Sequence, residues 1–129
     1  MTYEEFREAT EVLIREIPDD FLEGLQGIHV IEDEKPEEEY VEVWRLGEYL
    51  DPGPQDFLGF GEGLGRHIVL YFGSFVQVAS KNPNFDWEGE LWDTITHELR
   101  HHVESLAGDV TLIEDDLTRQ RKFTRYGND

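Results

Sequence analysis

Cysteine is absent from this 129-residue chain, which removes disulfides and thiolate metal sites and leaves the redox compartment unreadable from thiols. Any metal ion must therefore be held by nitrogen and oxygen. Basic residues are scarce: 11 Lys and Arg stand against 30 Asp and Glu, a formal charge of -19. Such a field repels phosphate backbones and anionic bilayers, so neither nucleic acid nor a membrane is expected as a partner. No run of about eighteen apolar residues occurs, and Met1-Thr2-Tyr3-Glu4-Glu5 opens no basic, apolar leader. The expected location is cytoplasmic. Repeats and linker-like tracts are missing as well, and the length suits a single domain over residues 1–129.

What is present is a globular composition, 38% hydrophobic and 12% aromatic. Thr2-Tyr3-Glu4-Glu5 has the form of a capping box, and Phe6, Ala9, Leu13 and Ile17 follow at helical spacing, so an amphipathic helix is expected up to Pro18. A short helix carrying Phe21, Leu22 and Leu25, capped at Asp19 or Asp20 and closed by Gly27, comes next. Strands are expected at Ile28–Glu32, from Val41, Val43 and Trp44 to an end before Asp51-Pro52-Gly53-Pro54, and at Arg66–Phe72, the last bounded by glycines, Gly73 among them, and rich in β-branched and aromatic residues. Asp33–Glu39 reads as an acidic turn or loop. Gly59–Gly65 has glycines at alternate positions but no following Lys-Ser or Lys-Thr, so it reads as a connection or a lid and not as a phosphate loop. A helix is expected to begin near Phe75–Ala79. Asp86 can cap a long helix in which Trp87, Leu91, Ile95 and Leu99 keep helical spacing, with Gly108 as its stop. Glu114–Tyr126 supplies one more helix.

That long helix carries His97-Glu98-Leu99-Arg100-His101, a complete HExxH. Its two histidines stand one turn apart, about 6 Å along the axis, and project from one face where they can share an ion. Glu98 is rotated by about 100° to the side of that ion, where a carboxylate can take a proton from an activated water. A catalytic zinc needs a third protein ligand. Asp109, just past the Gly108 turn, is the leading candidate. Glu104, on the same helical face as His97, is its rival, and Asp115 and Asp116 remain open. His102 points away from the ligand face and reads as a packed or hydrogen-bonded group. Asp93 either orients a histidine or is a surface carboxylate. His29 and His67, each on a strand, read as structural, and Tyr71 or Tyr126 can stabilise an oxyanion.

The sequence resembles the small bacterial zincin-like metallopeptidases, the minimal zincins. Ile17-Pro18 with Phe21-Leu22, Ile28-His29-Val30-Ile31-Glu32-Asp33 ending at Pro36, Ile68-Val69-Leu70-Tyr71, and Thr94-Ile95-Thr96-His97-Glu98-Leu99-Arg100-His101-His102 occur in the family's order, across about residues 3 to 116. The resemblance implies an α+β, minimal zincin-like fold with a small mixed sheet packed on helices. Family members with a shorter motif helix turn at a glycine three residues after the second ligand histidine and offer an aspartate three residues later. Here Glu104 and Ala107 hold those places, and the turn is delayed to Gly108. The expected function is a Zn(II)-dependent metallopeptidase, with His97, His101 and Asp109 on the metal and Glu98 as general base. Its expected substrate is a peptide or protein, with basic ones favoured by the acidic chain. The alternative is a non-catalytic metal-binding or protein-interaction domain that keeps the zincin scaffold. Oligomeric state is not legible.

Overall fold

The capping box at the N-terminus forms as read: Thr2 Oγ1 accepts from the Glu5 amide at 3.1 Å while the Glu5 carboxylate accepts from the Thr2 amide at 2.8 Å. It starts α1 (Tyr3–Arg15), whose Phe6 is fully buried. The computed structural model describes residues 1–51 and 65–108. Most of the glycine-rich stretch, Asp109, Asp115, Asp116, Tyr126 and the last expected helix lie outside the described residues.

After Pro18 comes a single turn, α2 (Asp19–Leu22), with Pro18 itself at the cap position. This helix is shorter than its apolar pattern implies, because the left-handed glycine that ends it is Gly24, at φ 82°, while Gly27 already opens a strand. The strands are β1 (Gly27–Ile31), β2 (Gly47–Leu50) and β3 (His67–Tyr71). They form a sheet in the order β1-β3-β2, with β1 parallel and β2 antiparallel to β3. The second strand thus ends before Asp51 as expected but begins only at Gly47, after Val41–Trp44. Those residues instead make a turn held by a Pro36–Trp44 bridge and by Arg45, whose guanidinium donates to Glu37 at 2.7 Å and Glu48 at 3.0 Å. Val43 is buried through that turn while Val41 is exposed, whereas in a strand the two would share a face.

The strand-to-helix junction after β3 is abrupt: α3 (Phe72–Ser80) begins on the next residue, three places earlier than its apolar pattern indicates. Gly73 permits this. A Cβ there would stand 2.6 Å from the Glu34 amide nitrogen and 2.7 Å from the Glu32 carbonyl oxygen, so the first turn of α3 lies directly against the chain leaving β1. Lys35 donates its amide to Ser74 Oγ at 2.8 Å across the same seam. Because the opposing atoms are backbone and cannot swing aside, Gly73→Ala is expected to cost about 1–3 kcal/mol, read as a lower urea midpoint at unchanged slope. An unshifted midpoint would show that the seam is loose.

The core joins Phe6, Phe75, Ile68, Leu70, Leu91 and Ile95, all fully buried. Phe75 meets Phe6 edge-on at 4.9 Å and stacks on Trp87 at 6.2 Å, tying α1 and α3 to the start of α4 (Trp87–Ala107). Among the described residues, no helix is long and apolar enough to cross a membrane.

Candidate metal centre

α4 starts and stops where its sequence directs. Asp86 Oδ1 accepts from the Gly89 amide at 3.1 Å, and Gly108 ends the helix in the left-handed conformation at φ 69°. Leu91, Ile95 and Leu99 bury its rear against the core, and the helix crosses β2 and β3. At Gly47 of β2 a Cβ would sit only 2.7 Å from Thr94 Cγ2. A bare backbone here lets α4 approach the sheet one turn before the motif.

This close approach sets the surroundings of the motif. Glu98, pointing to the sheet side, is 1% exposed, and His101 is 3% exposed. The rings of His97 and His101 lie 5.0 Å apart, nearly perpendicular, and the Nε2 atoms of both are shut off from solvent. Two imidazoles so placed on one helix face are nitrogen donors of the kind zinc takes, and the buried carboxylate stands to their side. Among the described residues, however, no three His, Asp or Glu groups gather into a set able to hold an ion. Glu104 accepts from Arg100 Nε at 3.1 Å, and Asp109, Asp115 and Asp116 lie outside the described residues. The described residues therefore bring two imidazoles together on one face, and a third donor would have to come from elsewhere in the chain.

With this geometry in view, the comparisons decide the family. The model of the zincin-like metallopeptidases matches residues 25–121. The chain belongs to that family. The zincin-like chain is also similar to a solved structure, that of a conserved hypothetical protein from T. thermophilus. The two share 60% identity and a TM-score of 0.76, with 83% of this chain and 98% of the other covered. No curated protein matches it.

The other residues picked from the zincin-like sequence fall into separate roles. His102 is fully buried between three elements: its Nε2 lies 2.8 Å from the Glu23 carbonyl oxygen and its Nδ1 2.9 Å from the Tyr49 hydroxyl of β2. A carbonyl only accepts, so Nε2 carries the proton and Nδ1 accepts from Tyr49. Burial raises the Tyr49 hydroxyl above the usual tyrosine range, which keeps it a donor. Tyr49 is a partner that sequence reasoning missed, since nothing in a four-residue strand signals a bond to a helix 53 positions away. Tyr71, at the end of β3, is mostly buried; burial first and the Glu48 charge next raise its hydroxyl, with Glu98 among the lesser contributors. It stays protonated at neutral pH, within electrostatic reach of Glu98. Asp93 is exposed. His29 and His67 are not two lone strand histidines but neighbours, with His29 Nε2 2.9 Å from His67 Nδ1.

An apolar cavity of about 380 Å³ lies along another side of α4, and none of His97, Glu98 and His101 lines it. Ile17, Pro18 and Phe21 form one wall and Trp92, Leu99 and Val103 of α4 another, while Arg100 and Glu104 separate it from the histidine side of the helix.

Proposed function

We propose that this zincin-like chain is a zinc-dependent peptidase in which His97, His101 and Asp109 hold the metal and Glu98 is the general base. The observation that carries the reading is the pair of imidazoles 5.0 Å apart whose Nε2 atoms are shut off from solvent, with Glu98 buried beside them. A Zn(II) ion held there supplies Lewis acidity, lowering the pKa of a water and polarising a peptide carbonyl. Glu98, held between helix and sheet, takes the proton of the attacking water on its carboxylate and returns it to the departing amine nitrogen. The protonated Tyr71 hydroxyl offers a donor on the sheet side for the carbonyl oxygen as charge builds on it. The net charge of -19 draws basic peptides toward the protein.

The competing assignment is a metal-binding or interaction domain without turnover. One experiment separates the two. The purified protein is expected to retain one equivalent of zinc through gel filtration and to cleave members of a mixed peptide library, with cleavage abolished by a chelator and restored by Zn(II). Zinc retained without cleavage assigns the protein to the binding class, and absence of zinc removes the peptidase reading and leaves a metal-free interaction domain.

A further inference from the structure

The paired histidines on the strands stand apart from the HExxH helix. Along β3 the fully buried Ile68 and Leu70 alternate with His67 and Val69, so the histidine projects from the other face of the sheet. Tyr49, which pairs with Ile68 in the ladder, is the residue that reaches His102 of α4, and this fixes the buried face as the one toward the helix. On β1, His29 pairs with Val69 and Gly27 with His67, so the two imidazoles sit on a diagonal of the open face. Gly27 makes their meeting possible: a Cβ there would stand 3.0 Å from His29 Nε2, in the space over which the ring leans.

We propose that His29 and His67 form a second metal site, for a divalent first-row ion with a preference for imidazole and cis ligands at right angles, of the Ni(II) or Cu(II) kind. The facing nitrogens, His29 Nε2 and His67 Nδ1, are 2.9 Å apart. Metal–imidazole bonds of about 2.0–2.1 Å meeting at a right angle place two nitrogens roughly 2.9 Å apart, so the separation already matches. In the metal-free pair the two nitrogens share a hydrogen bond, so one of them carries a proton; ligation shifts that ring to its other tautomer, leaving the N–H groups on His29 Nδ1 and His67 Nε2. Exposure of His29 lets its ring turn toward the ion and leaves room for water at the remaining positions. The adjacent cation, Arg66, faces Asp51 at 3.9 Å, and the acidic chain raises the local concentration of cations.

The test titrates the full chain carrying His97→Ala and His101→Ala with Ni(II), whose paramagnetism broadens nearby signals. One equivalent is expected to bind and to broaden the ring signals of His29 and His67 first. Adding His29→Ala, an exposed substitution that the fold tolerates, is expected to weaken binding at least tenfold. In the chain with the HExxH pair intact, His29→Ala is expected to remove one equivalent of Ni(II) and leave the other. Unchanged affinity in either background, or broadening centred on acidic surface residues, overturns the assignment.

Discussion

Glu98→Gln is expected to lower kcat for peptide cleavage by about 10²–10⁴-fold, the usual contribution of a positioned general base, while bound zinc stays at one equivalent. The substitution preserves shape and removes only the capacity to take a proton. Shape matters here because Glu98 is 1% exposed and packed between α4 and the sheet, where a smaller residue would add a cavity to the chemical loss. Its place on the helix, about 100° from His97, keeps it off the ligand face, so the metal should be indifferent to the change. Reduced kcat with unchanged zinc content and KM supports the assignment. Equal cleavage by both proteins would end it, and loss of zinc would make Glu98 a ligand.

The site was legible where one helix encodes it. Both ends of α4, the shared face of His97 and His101, and the sideways position of Glu98 follow from helical periodicity and from two capping residues, Asp86 and Gly108. The same local logic found α1 and β3. It failed where long-range contact decides. Val41–Trp44 alternates like a strand but is folded into a turn by Arg45 and its two glutamates, and β2 forms from Gly47–Leu50, whose glycine is selected by the proximity of Thr94. Gly73 read as the punctuation at the end of a strand, whereas it is the contact point of a helix with the chain leaving β1. The His29–His67 pairing depends on the parallel register of β1 and β3, which no periodicity reveals.

These long-range contacts also explain how so short a chain holds its motif in place. Gly47 lets the sheet come close at Thr94, one turn before the motif, and His102 fastens the turn after it to β2 and to the segment following α2. Glu98 lies between the two fastenings. Its burial is therefore a property of the sheet–helix seam and not of the HExxH spacing, which would be the same on a helix exposed to water.

His102→Ala tests this seam and is expected to produce the largest loss of stability among the motif histidines. It removes a fully buried ring and strands two polar partners, the Glu23 carbonyl and the Tyr49 hydroxyl. An unsatisfied buried group costs about 1–3 kcal/mol, and the vacated volume adds to it. A total of about 3 kcal/mol is expected, with the melting temperature lowered by roughly 10 °C for a domain of this length. The readout that separates a fastening from a ligand is zinc: below its melting temperature the variant should keep its metal and most of its kcat, whereas His101→Ala should lose both. His102→Gln, able to restore one of the two hydrogen bonds, should recover part of the stability. If instead zinc affinity falls with His102→Ala as far as with His101→Ala, the fastening of α4 to β2 is itself required to hold the metal, and the separation of the two roles fails.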